Sequence, residues 1–204
     1  MNNLARLLQL ASPTLPIGAY SYSQGLEAAI EAGVVTDAAS AERWIGDVLE
    51  LSVARMELAV LRAQLEEPTQ AINDRFLASR ETAELRAETL QMGQSLARLL
   101  AELGVKVQVQ EPALPTAFAC AARAWSIAPH DALVGYLWSW LENQVMAVVK
   151  AVPLGQTAGQ KILLVLGSRL EEIADREPQW TNLAPGLAFL SARHETQYSR
   201  LFRS

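Results

Sequence analysis

The stretch VKVQVQEPALP, residues 105–115, alternates apolar and polar side chains as a strand does, and it is the one place in this chain where β-structure is in question. Its reading decides between a mixed and an all-α fold. Five alternating residues make a short strand, and a strand without a partner leaves its backbone donors and acceptors unpaired. No partner strand is evident, so the stretch reads as an extended connector. On both sides of it the apolar residues recur at helical spacing. Residues 2–11 carry Leu4, Leu7, Leu8 and Ala11, ended by Pro13. Residues 24–32 follow, with Ser23 as N-cap and Gly33 as stop. A long pattern from Thr36 or Asp37 to about Glu67 allows one bend, and another from Pro68 to Leu103 breaks near residues 79–82 and stops at Gly104. Further helices are expected over 114–126, 129–152 and 156–176, then a loop over 177–186 and a last helix from about Leu187 that fades into the tail. The expectation is an all-α fold: a single compact bundle of about eight helices over residues 1–204, with no significant sheet.

Composition narrows the function classes. A chain of 204 residues suits one domain, and folding at this size buries roughly 70% of the unfolded surface. Half the residues are apolar and only 19% are charged, a deficit that points to surface covered by partners. A net charge of −5 argues against nucleic acid, because binding its backbone requires clustered Lys and Arg. The start of the chain lacks the build of a signal peptide, and no uncharged apolar run reaches the roughly eighteen residues of a membrane span. Cys120 is the only cysteine, which excludes an intramolecular disulfide and makes a cytoplasmic protein the simplest expectation.

Motifs for chemistry are scarce. His130, His194 and Cys120 lack the paired, closely spaced ligands of a dedicated metal site. HETQY at 194–198 begins like a zincin helix, but Tyr198 stands where the second histidine ligand belongs. There is no phosphate-binding loop, and the glycines near the N-terminus lack a preceding strand. Cys120 lies among small apolar residues, as an inert buried thiol does. No catalytic residue, metal ligand or cofactor is assigned to this chain.

Three stretches stand out against that background. SPTLPIGAYSYSQGLE, residues 12–27, concentrates prolines, glycines, serines and tyrosines in one loop. Pro13 and Pro16 stiffen it, Gly18 and Gly25 permit close backbone approach, and Tyr20 and Tyr22 are expected to be presented outward, with Gln24 beside them. In the apolar helix starting at residue 129, Ser139, Asn143, Met146 and Lys150 fall on one stripe with Glu142 alongside. That stripe reads either as a solvated face or as a polar seam toward a partner or an internal channel. The tail, SARHETQYSRLFRS at 191–204, interleaves Arg193, Arg200 and Arg203 with Tyr198, Leu201 and Phe202. Residues 193–204 carry a local +2 with large apolar residues among the arginines, which reads either as an end that docks on a partner or subunit or as one that packs on its own body.

The blocks LASPTLPIGAYSYSQGLE (10–27), SRETAELRAETLQMGQSLARLL (79–100), YLWSWLENQVMAVVKAVPLGQTAGQ (136–160) and the tail, in that order, resemble the urease accessory protein UreF family. The resemblance implies a dimeric all-α protein without catalytic activity. It also implies a chaperone complex with UreD (UreH in some organisms) and the GTPase UreG, which loads nickel into apo-urease; GTP and nickel are handled by that complex. The expected partner-binding residues are Pro16, Gly18, Tyr20, Tyr22 and Gln24, with UreG the expected partner of the loop; Lys150; and, toward UreD, Arg193, His194, Tyr198, Arg200, Leu201 and Phe202 in a flexible tail over about 193–204. A catalytic activator of GTP hydrolysis by UreG is the alternative reading.

Overall fold

In the computed structural model, which describes residues 3–177 and 179–204, the connector at 105–115 runs extended without pairing to another strand. Side chains of neighbouring helices satisfy its backbone instead. Gln70 accepts from the Gln110 amide at 2.8 Å and donates to the Gln110 carbonyl at 3.1 Å. Asn73, fully buried, accepts from Ala113 N at 2.8 Å and donates to Glu111 O at 3.1 Å. Thr89 takes the amide of Leu114. Carboxamides thus replace a ladder, which is why an alternating stretch exists here without a sheet.

The described residues are all-helical, with no strand. In chain order the helices are α1 Asn3–Leu10, α2 Leu26–Glu31, α3 Ala38–Val48, α4 Leu58–Glu66, α5 Gln70–Ala78, α6 Ala83–Glu102, α7 Leu114–Ala124, α8 Pro129–Ala151, α9 Gln156–Gly167, α10 Leu170–Asp175 and α11 Pro185–His194, with a single 3₁₀ turn at Ala19–Ser21. Between α3 and α4 the chain continues as a π-helix over Leu49–Glu57, so residues 38–66 form one unbroken rod containing the irregularity its spacing suggested. Caps explain the starts. Asp37 and Ser40 make a reciprocal capping box, and Thr69 and Thr82 accept from Ile72 N and Leu85 N.

Helix α8 lies at the centre and packs against α1, α2, α3, α4, α7, α9 and α10, which accounts for its nearly all-round apolarity. Leu137 and Leu141 are fully buried on it, joined from other helices by Leu26, Ile45, Leu61 and Leu96. Each such side chain contributes about 1.5–3 kcal/mol by leaving water. Gly93 lets the connector cross α6: a Cβ there would sit 2.0 Å from Pro112 O.

Several boundaries differ from expectation: the helix expected from Pro68 begins at Gln70, capped by Thr69, and the last helix begins at Pro185. Helix 156–176 is two helices, because the Ser168 hydroxyl donates back to Val165 O at 2.8 Å and the chain turns through Ser168 and Arg169 before α10. Helix α2 begins at Leu26, since Gln24 and Gly25 both adopt positive φ, 54° and 75°. The expected first helical residue, Asn2, and Pro178 in the 177–186 loop lie outside the described residues.

Candidate functional site at the junction of the opening loop and the tail

The three conspicuous stretches meet. The amide of Arg203 donates to Ser21 O at 2.7 Å, and the amide of Ser23 donates to Ser204 O at 2.8 Å, so loop and tail run side by side as a short backbone pairing. The α8 stripe lies beneath both. Asn143 Nδ2 donates to the Tyr22 carbonyl at 3.1 Å, and the Lys150 ammonium stands 4.7 Å from the centre of the Phe202 ring. The stripe is therefore a seam that meets this chain's own loop and tail.

Glu27 organises the tail from below. Its buried carboxylate accepts from Leu201 N at 2.7 Å and from Phe202 N at 2.9 Å, and lies 3.1 Å from His194 Nε2. The other ring nitrogen of His194 lies 2.8 Å from Glu84, and Glu84 also pairs with Arg200 at 2.8 Å. His194 is fully buried with a carboxylate at each ring nitrogen. The two acids stand on opposite sides of the ring and do not converge on a point; among the described residues no group of three or more His, Cys, Asp or Glu is placed to hold a metal ion.

A second buried network lies behind the loop. Gln24 accepts from Trp140 Nε1 at 2.6 Å and donates to Glu88 at 2.7 Å, and Glu88 also accepts from the Ser204 hydroxyl at 2.8 Å. These bonds hold Gln24 in a left-handed backbone conformation that costs a non-glycine residue about 1 kcal/mol. Burial pushes the Glu88 carboxyl up to about 7, against hydrogen bonds from Ser204 and Gln24 that favour its ionised form. Next to it Tyr136 donates to Glu57 at 2.5 Å, and Arg80 lies 3.6 Å from the same carboxylate. Burial, with Glu57 adding to it, keeps the Tyr136 hydroxyl protonated well above its usual range. These groups floor a cavity of about 180 Å³ whose apolar walls include Leu15, Ile17, Met92 and Phe118. Its polar groups form a network around the Arg80 guanidinium, whose buried Nε and Nη1 have no hydrogen-bond partner, and they are not arranged as a nucleophile with a base.

The expected site residues separate into two sets. Tyr20 (74% exposed), Tyr198 and Leu201 are exposed, as are Pro16, Lys150 and Arg193, and Gly18 has nothing within 4 Å of a built Cβ. The other set is turned inward. Tyr22, expected to face outward, is 5% exposed and donates its hydroxyl to Gln91, which corrects that expectation. His194 and Phe202 likewise lie inside, held by the Glu27 carboxylate, and Gln24 is buried. Arg200 stays exposed but is tied to Glu84 and to the Glu195 and Gln197 carbonyls. The tail, expected to be flexible, lies folded on the body. Gly25, at positive φ, stands against helix α11, where a Cβ would lie 3.3 Å from Leu187 and 3.4 Å from Ser191 N. Glu27, Glu84 and Glu88 went unremarked in the sequence. The only signal is that Glu27 and Glu88 occupy positions of helices α2 and α6 that otherwise bury largely apolar residues; Glu84 carries none.

The chain matches the UreF family model over residues 35–167. It is 54% identical to a urease accessory protein UreF from Azoarcus sp. (strain BH72), over 98% of this chain and 95% of that protein. Proteins of the same description from Dechloromonas aromatica (strain RCB) and Azotobacter vinelandii (strain DJ / ATCC BAA-1303) are 51% and 48% identical, over 98% and 100% of this chain and 97% and 100% of theirs. The family match leaves out the opening loop and the tail, whereas these relatives align across nearly the whole chain.

Proposed function

The chain belongs to the urease accessory protein UreF family, and from that membership we propose that it is a non-catalytic chaperone subunit joining UreD (UreH) to the GTPase UreG during nickel loading of apo-urease. In this reading it works in the cytoplasm as a homodimer and binds no cofactor of its own, nickel and GTP being handled by the complex. The single observation that carries the reading is the interlock of loop and tail. Arg203 with Ser21, and Ser23 with Ser204, bring two stretches from opposite ends of the chain onto one surface that displays Tyr20, Tyr198 and Leu201. Exposed aromatic and aliphatic side chains on a rigid base are what protein-protein anchors require. No helix among the described residues is long and apolar enough to cross a membrane.

The tail supplies the contact with UreD through Tyr198, Leu201 and Arg193, and the loop meets UreG through Tyr20. The test is co-purification of wild type, Tyr198→Ala/Leu201→Ala and Tyr20→Ala with UreD and UreG, followed by nickel activation of apo-urease. The tail variant is expected to lose UreD and the loop variant to lose UreG, both with unchanged helical circular dichroism. Wild-type levels of binding and activation in both variants would overturn the proposal.

A further inference from the structure

Between the opening loop, the middle of α6 and the tail lies a groove of about 730 Å³. Two arginines line it, Arg98 from α6 and Arg203 from the tail, and no acidic residue does. Arg80, Arg169, Arg176 and Arg200 each pair with a glutamate, and Arg55, Arg62 and Arg123 place their donors on neutral side-chain or backbone oxygens. Arg98 instead holds only the hydroxyl of Ser95, at 3.0 Å, and the Arg203 guanidinium lies at the hydroxyl of Tyr22. Two like charges that the fold brings to one groove without a counter-charge leave a positive potential to be met from outside.

The remainder of the lining indicates what meets it. Gln91 and Gln94 place carboxamides beside the arginines, groups that match the donors and acceptors of a peptide backbone. Pro13, Pro16 and Ile17 form an apolar wall for aliphatic stems. Only two cations are present and the chain is acidic overall, which suits carboxylates on a polypeptide rather than a run of phosphates.

We propose that this groove binds an acidic segment of a partner protein, with Arg98 and Arg203 taking its Asp or Glu side chains. The inference rests on reading the chain as a subunit that meets other proteins through its loop and tail, and it names the chemistry of one such contact. Arg98 lies outside both stretches and acts with them only because α6 passes beside the loop.

The experiment is fluorescence anisotropy with a labelled peptide of alternating Glu and Ala, a matched Lys/Ala peptide and single-stranded oligo-dT, each at rising sodium chloride. The wild type is expected to bind the Glu/Ala peptide alone, with affinity that falls as salt rises. The double variant Arg98→Glu/Arg203→Glu, checked for an unchanged melting curve, is expected to weaken that binding about tenfold or more, the cost of placing like charges across an interface. Equal binding by wild type and variant, no preference for Glu/Ala over Lys/Ala, or tighter binding of oligo-dT would each overturn the inference. The same variant is carried through co-purification with UreD and UreG. If wild type captures these partners but the peptide result fails, only the acidic-segment inference falls; if wild type captures neither, the underlying reading falls.

Discussion

Glu27 and His194, 167 positions apart in the chain, face each other at 3.1 Å in the protein interior, and the same carboxylate accepts the backbone amides of Leu201 and Phe202. One acid near the N-terminus thus holds the last turn of α11 and the chain that follows it. A buried carboxylate is stable only where its lone pairs are filled, and here donors from the tail fill them.

Glu27→Ala leaves two backbone amides without their acceptor and the buried His194 ring without one of its partners. Removing one partner of a buried charged network costs about 3–5 kcal/mol, so the variant is expected to melt well below wild type. Limited proteolysis is expected to cut the tail first, with the products identified by mass spectrometry. A tail as resistant as in wild type would show that Glu27 does not retain it.

Glu88 gives stability a pH dependence of definite sign. Its folded-state value of about 7 stands above the ordinary 4.5 because burial penalises the charged form. Between these values the native state holds a proton that the unfolded chain has released, so stability is highest at low pH and declines as pH rises toward 7. The decline amounts to roughly 3 kcal/mol at most. Urea midpoints measured from pH 5 to 8 are expected to fall by less in Glu88→Gln than in wild type.

Gly93→Ala drives a methyl group against backbone. A built Cβ stands 2.0 Å from Pro112 O and 2.5 Å from Ala113 C, and neither is the yielding end of a side chain. Overpacking of this kind costs about 1–3 kcal/mol, and a backbone clash belongs at or above the upper end. Chemical denaturation is expected to show the loss, and expression as soluble protein to fall with it.

Lys150→Ala removes a cation from the face of Phe202 at an exposed position. The contact is worth about 0.5–1 kcal/mol, so thermal stability is expected to change by no more than that. Urease activation, and its dependence on nickel and bicarbonate, is the sensitive measurement. An activation profile identical to wild type would make Lys150 a stability contact only.

Much of the architecture was legible in the residues themselves. Helical spacing, Gly33 and Gly104 as stops and Pro129 at a helix start are local signals, since a helix closes its hydrogen bonds within a few residues. The candidate site was legible by composition but not by orientation. Tyr20 and Tyr22 look alike in sequence, yet one is exposed and the other is buried against Gln91, sixty-nine positions away.

The all-α class, the helix order and the three conspicuous stretches were determined by the sequence alone, because they depend on contacts within a turn or two of helix. Only the tertiary structure decided that the stretches meet, that His194 and Phe202 face inward and that Arg98 joins Arg203 in one groove. Those outcomes depend on hydrogen bonds and packing between distant residues, above all on Glu27, whose partners lie at the other end of the chain.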